Sequence, residues 1–93
     1  MNPELKGKWV EALRSGEYKQ GQFTFRNGDR YCCLGVLCMV LSMPQLIVLG
    51  KDDYDGLRNA SGLVQEDTDT LVRMNDHRKR SFKEISDYIE ANL

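Results

Sequence analysis

The chain of 93 residues is long enough for one domain with one compact core, so we expect a single domain over residues 1–93. Its formal net charge of −1 provides no bulk electrostatic attraction to nucleic acid or to a membrane surface. Hydrophobic residues make up 41% and charged residues 29%, which is ordinary for a globular domain and excludes a disordered chain.

The cysteines and the apolar runs indicate in which cellular compartment the protein is expected. Three cysteines, two of them adjacent, are too few for a disulfide scaffold, so we expect reduced thiols in a cytoplasmic protein. The first residues lack the basic and apolar stretch of a secretory signal. The longest apolar run, about residues 32–40, is too short to span a bilayer, so we expect no membrane partner.

The first predicted elements are a helix and a hairpin. Residues 3–15 form the helix, because Asn2 can cap it and its apolar residues recur at helical spacing. Residues 22–26 alternate as a strand that places Phe23 and Phe25 on one face. Asn27 and Gly28 are the predicted centre of a tight turn, and residues 30–32 form the returning strand.

The second half is predicted to be mainly helical. Residues 33–42 are apolar nearly all round, which is typical of a buried helix. Residues 45–49 fit either a further strand or an apolar continuation packed on the hairpin, and residues 51–61 fit an irregular loop. A helix over residues 65–76 and a basic loop follow, and Ser81 and Glu84 then form a capping box that opens a last helix to about residue 92.

These elements predict an α+β fold. We expect a short β-hairpin or a three-stranded antiparallel sheet, packed with about four helices.

Cys33 is a candidate nucleophile because it begins the apolar helix, where the helix dipole favours a thiolate. Its base would have to be His77, the single histidine. Packing in the core is the favoured interpretation, since cysteine is among the most buried residue types. Cys33 and Cys38 lack the spacing of zinc ligands, so neither a metal nor a cofactor is predicted.

A basic run is the better candidate for a binding site. His77, Arg78, Lys79 and Arg80 immediately precede the helix that Ser81 opens. Backbone N–H groups, the helix dipole and several cations would converge there on a phosphate or on an acidic partner surface. A solvated loop with no specific role remains the alternative, because surface charges usually have little specific effect.

Two blocks of sequence resemble a group of small, uncharacterised bacteriophage and prophage proteins. The first comprises residues 2–6, 9–16 and 28–38, with the motif Cys-Cys-Leu-Gly-Val-Leu-Cys, and the second comprises residues 74–76, 81–85 and 88–89. The resemblance implies a phage gene product in the host cytoplasm.

Small accessory phage proteins of this kind often antagonise host defence. We therefore expect a protein that acts by binding, either to a host defence protein or to a small anionic or nucleotide ligand that it sequesters. A cysteine-dependent enzyme that uses Cys33 is the alternative, and self-association into a homo-oligomer is left open.

Overall fold

The computed structural model describes residues 1–48 and 50–93, and in this part of the chain three short strands lie between a first helix and four later ones. The helices are α1 (Pro3–Arg14), α2 (Cys33–Val40), α3 (Tyr54–Ser61), α4 (Gln65–Val72) and α5 (Phe82–Asn92). The strands are β1 (Lys19–Gln20), β2 (Arg26–Asn27) and β3 (Arg30–Tyr31). The α+β prediction is confirmed, although the structure has five helices rather than about four.

The three strands form a mixed sheet, which corrects the prediction of an antiparallel one. The strand order is β1-β3-β2, with β1 parallel to β3 and β2 antiparallel to β3. The chain passes from β1 to the outer strand β2 and returns through the centre as β3, so β1 and β3 run in the same direction. The parallel pairing continues past β1, where the Gly21 N–H donates to the Tyr31 carbonyl at 2.8 Å.

The hairpin turn is shifted by one residue from its predicted centre. Asn27 pairs with Arg30 in the sheet, so the two-residue loop consists of Gly28 and Asp29. Gly28 has a φ of 63°, a backbone conformation that glycine adopts without steric cost. The strand predicted over residues 22–26 is reduced to β2.

Helix α2 forms the centre of the core, as its apolar sequence predicts. Every residue from Cys33 to Cys38 is buried. The indole N–H of Trp9 in α1 donates to the carbonyl of Cys33 at 3.0 Å, and α1 also packs against α5. Because α2 is surrounded on all sides, its exact position fixes the position of the elements around it.

Helix α3 replaces the loop that was predicted over residues 51–61. Asp53 caps it by accepting a hydrogen bond from the Gly56 N–H at 2.9 Å, and Gly62 ends it with a φ of 80°. Leu57 has no exposed surface and packs α3 against the core. The strand considered over residues 45–49 is a 3-10 turn at Pro44–Leu46, and Leu49 lies outside the described residues.

The last two predicted helices are confirmed. Helix α4 continues directly into a π-helical turn over Arg73–His77, so the predicted helix over residues 65–76 is one continuous stretch of helical backbone. Ser81 and Glu84 form the predicted capping box at the start of α5. None of the helices in the described part of the chain is both long enough and apolar enough to cross a membrane.

Candidate ligand-binding cleft

A buried asparagine fixes the π turn against the rest of the fold. Asn75 has no exposed surface, and its amide N–H groups donate to the Gly21 carbonyl and to Asp76, each at 2.8 Å. Its carbonyl oxygen accepts from the Gln20 amide at 3.0 Å and from the Cys33 backbone N–H at 3.2 Å. Asn75 thus joins the π turn to β1 and to the first residue of α2.

The π turn directs some of its side chains inward and others outward. Asn75 and Asp76 are buried, whereas Arg73 and His77 are exposed. The Arg78 N–H donates to the Arg73 carbonyl at 2.9 Å, which is the wide i to i+5 bond of a π turn. Such turns are rare and are found disproportionately at functional sites.

The exposed side of the π turn faces helix α3 across a cleft of about 420 Å³. The residues that line it, which we call the α3–α4 cleft, are Tyr54, Arg58, Asp69, Val72, Arg73 and His77. Two guanidinium groups, one imidazole and a single carboxylate line the cleft, and a second carboxylate, Asp55, pairs with Arg58 beside it, so Arg73 supplies the positive charge for an anionic ligand. Among the described residues, neither Arg73 nor His77 makes an ion pair.

Arg58 is held in place by its neighbours. It donates to the Thr68 hydroxyl at 3.0 Å and to the Asp55 carboxylate at 2.7 Å. Its guanidinium carbon lies 6.0 Å from the centroid of the Tyr54 ring. The Arg58 side chain is 22% exposed and Asp55 is 90% exposed, so the ion pair between them is open to competition by a ligand.

Tyr54 forms a partly buried wall of the cleft. Its ring packs against Phe25 with 4.8 Å between centroids. Burial raises the pKa of the Tyr54 hydroxyl to about 12, and the nearby Cys32 and Asp52 add to the effect. The phenol therefore stays protonated at neutral pH and remains a hydrogen-bond donor.

Phe23 lies beside the cleft in an unusual conformation. Its side chain is 70% exposed, and its φ of 72° lies in a region that a bulky residue rarely adopts. Its ring meets the His77 ring edge-on, with 6.1 Å between centroids. The prediction that Phe23 and Phe25 share a face is wrong, because the positive φ reverses the strand alternation and only Phe25 points into the core.

The predicted basic site is divided in the structure. His77 lines the cleft, whereas Arg78, Lys79, Arg80 and Ser81 continue along the surface as exposed residues.

The carboxylate of Glu84 already occupies the start of α5, where an anionic ligand was predicted to bind. The Ser81 N–H donates to Glu84 at 3.1 Å, and the Arg80 guanidinium pairs with the same carboxylate at 3.2 Å. The Ser81 N–H in particular holds the pKa of Glu84 below its usual value.

The candidate nucleophile Cys33 begins α2 as predicted, but its thiol is buried in the core. Burial raises the pKa of Cys33 well above its ordinary value, which is opposite to the activation that a nucleophile needs. The thiol lies 3.9 Å from the Leu71 carbonyl, while His77 is exposed in the cleft. All three thiols are free, and within residues 1–48 and 50–93 no three potential metal ligands form a cluster.

A larger cleft of about 590 Å³ lies along α1 and is a weaker candidate. Its guanidinium, Arg14, is engaged with Ser86, Asp87 and Glu90 of α5 at 2.9, 2.7 and 3.2 Å. These carboxylates, Asp87 first, raise the pKa of Arg14. Arg14 therefore joins two helices rather than offering its donors to a ligand.

The residues of the cleft that sequence reasoning missed are Tyr54, Arg58, Asp69 and Arg73. A signal for α3 is present in the sequence, because Asp53 precedes it, Gly62 follows it, and Leu57 and Ser61 recur at helical spacing. The spacing of Arg73 and His77 is a local signal that both follow one helical face, but nothing local shows that this face meets α3.

The fold and the cleft define a small α+β domain with a basic, aromatic-walled cleft. Residues 1–47 match the family described as a domain of unknown function (DUF8296), and the chain belongs to this family. No curated protein and no solved structure matches the chain. The matched segment contains α1, the sheet and α2, whereas the six lining residues lie beyond it.

Proposed function

We propose that the protein acts by binding and holds a small anionic ligand in the α3–α4 cleft. The observation that carries the proposal is the convergence of Arg58, Arg73 and His77 on one concave surface. Guanidinium groups form strong, charge-assisted hydrogen bonds to phosphate and carboxylate oxygens, and an imidazole N–H can donate to the same oxygens. The volume of about 420 Å³ lies within the usual range for small-molecule sites.

The two arginines have different roles in this proposal. Arg58 is pre-oriented by Thr68 and Tyr54, so little side-chain entropy is lost when it binds an anion. Arg73 is exposed, and its charge is available to complete the contact. Asp69 opposes a ligand that carries only negative charge and therefore limits its affinity.

The wider biological setting is part of the same proposal. The resemblance to phage proteins supports an accessory protein that works in the host cytoplasm and sequesters its ligand. The exposed run of Arg78, Lys79, Arg80 and Ser81 supports a second mode, in which the adjoining surface contacts an acidic patch on a host defence protein. The alternative of a cysteine-dependent enzyme lacks such support, because Cys33 has no exposed surface.

Calorimetric titration with inorganic pyrophosphate at low ionic strength tests the cleft. Arg73→Glu should weaken binding by about tenfold or more, the effect expected for one lost charge-assisted bond. Lys8→Glu is the matched control, because Lys8 lies on α1, is not among the residues that line the cleft, and pairs with Glu4. Asp69→Asn should tighten binding several-fold, since it removes the opposing charge.

A charge-reversal variant of Arg78, Lys79 and Arg80 separates the cleft from the adjoining loop. It should weaken binding of an acidic partner while leaving the melting temperature nearly unchanged, because all three side chains are exposed. Unaltered binding would remove the loop from the proposal. Wild-type protein that binds no pyrophosphate, or Arg73→Glu that binds it equally well, would refute the anion site in the cleft.

A further inference from the structure

We infer that the ligand of the α3–α4 cleft is a nucleoside phosphate, whose planar base lies against Phe23 and His77 while its phosphate contacts Arg58 and Arg73. This inference rests on the proposed function, because it names the class of anion that the same cleft takes. Three observations carry it: the exposed aromatic ring at the rim, the length of the cleft and its single carboxylate.

The ring of Phe23 has the properties of a stacking platform. It is exposed to 70%, more than the other exposed large apolar side chains in the described part of the chain, Val48 and Val64. The positive φ of Phe23, a strained conformation for a bulky residue, holds the ring out of the core. His77 contacts the Phe23 ring edge-on, with 6.1 Å between centroids, and so supports the platform from one side.

The cleft is elongated in the way a nucleotide requires. Asp69, Arg73 and His77 follow one another at four-residue intervals along α4 and the π turn, and all three line the cleft, so its lining extends along about two turns of helical backbone. A planar base at the His77 end and a phosphate beside Arg73 fit this length. A lone inorganic anion would contact only the middle of the cleft.

The carboxylate of Asp69 also favours a ligand with hydrogen-bond donors. It lines the cleft together with Arg58 and Arg73, where it repels a purely anionic ligand. The hydroxyl groups of a ribose can donate to a carboxylate, as they do in dinucleotide sites. A ligand that combines a phosphate, a sugar and a planar ring therefore satisfies each lining group.

Binding constants for the four ribonucleoside monophosphates and for ribose 5-phosphate test the inference, because these ligands differ only in the base. At least one nucleotide should bind about tenfold more tightly than ribose 5-phosphate, since stacking of a base on an aromatic side chain has an effect of this order. Phe23→Ala should abolish this preference and leave the affinity for ribose 5-phosphate unchanged. Phe23→Trp should retain the preference, and Val64→Ala should have no effect.

The outcomes separate the inference from the function on which it rests. Equal affinities for the nucleotides and ribose 5-phosphate would contradict a nucleoside phosphate as the ligand, and so would a Phe23→Ala variant that still binds a nucleotide more tightly than ribose 5-phosphate. Neither result would contradict the proposed anion site. If neither these ligands nor pyrophosphate bind the wild-type protein, the inference and the proposed function both fail.

Discussion

The side-chain oxygen of Asn75 accepts a hydrogen bond from the backbone N–H of Cys33 at 3.2 Å, across 42 residues of sequence. The first N–H groups of a helix have no partner within the helix, so Asn75 satisfies one that α2 would otherwise bury unpaired. The same asparagine fixes the π turn that carries Arg73 and His77. The most buried helix and the candidate cleft are therefore joined through one side chain.

Asn75→Ala should lower the free energy of unfolding by about 3 kcal/mol or more. It leaves the Cys33 N–H and the Gly21 carbonyl buried without a partner, and each such group costs about 1–3 kcal/mol. Urea denaturation measures the loss. Asn92→Ala is the control, since Asn92 is exposed and bonds only to the carbonyl of Tyr88, so its effect should stay below about 0.5 kcal/mol. Similar losses for both variants would contradict the role given to Asn75.

Gly35→Ala and Gly7→Ala should change stability in opposite directions. A Cβ on Gly35 would overlap the backbone carbonyl of Phe25, so α2 or the segment before β2 would have to move, at a cost of about 3 kcal/mol or more. Gly7 lies in α1 with nothing within 4 Å of a new Cβ, and alanine should add about 0.5–1 kcal/mol through helix propensity. Thermal denaturation of the two variants in the same buffer shows whether the melting temperature falls for Gly35→Ala and rises for Gly7→Ala.

The three thiols should react with an alkylating reagent only when the protein unfolds. Cys32, Cys33 and Cys38 are at most 5% exposed, and burial raises the pKa of each. Mass spectrometry after brief exposure to iodoacetamide should find no adduct on the native protein and three in guanidinium chloride. A single fast adduct on native Cys33 would contradict this prediction and support the alternative of a cysteine-dependent enzyme.

Stability should fall as the pH rises above about 9. Burial raises the pKa of Cys32 from 9.0 to about 12, and it also raises the pKa of Cys33 well above its ordinary value. The unfolded chain therefore releases these protons first, and unfolding becomes more favourable with pH by about 1.4 kcal/mol per unit for each thiol. Urea midpoints at pH 8, 9 and 10 measure the slope. Cys33→Ala should reduce it, and a slope that this variant leaves unaltered would contradict the assignment.

The helices with clear local signals were predictable from the sequence. Pro3 and Asn2 mark the start of α1, and Ser81 with Glu84 marks the start of α5, because capping is a local interaction. Helix α3 was missed because its short segment is rich in Asp, Gly and Asn, which usually indicate a loop. Its stability comes from burying Leu57, and that burial is not visible in the local sequence.

The candidate cleft was predictable only in part. His77 was recognised from the run of charges around it, but its partners Tyr54 and Arg58 come from a helix about twenty residues earlier. The strand-like alternation of residues 22–26 predicts that Phe23 and Phe25 share one face. A single positive φ reverses that pattern, and no rule based on alternation detects it.

The family boundary falls between α2 and the charged lining of the cleft. The matched residues 1–47 contain α1, the sheet, α2 and the rim residue Phe23, while the charged lining comes from residues 54–77. Arg58, Asp69, Arg73 and His77 all lie outside the core, so substitutions at these positions would not require α2 to repack. Under the proposed function, ligand specificity is therefore set by residues that core packing does not constrain, and Asn75 joins them to the matched segment.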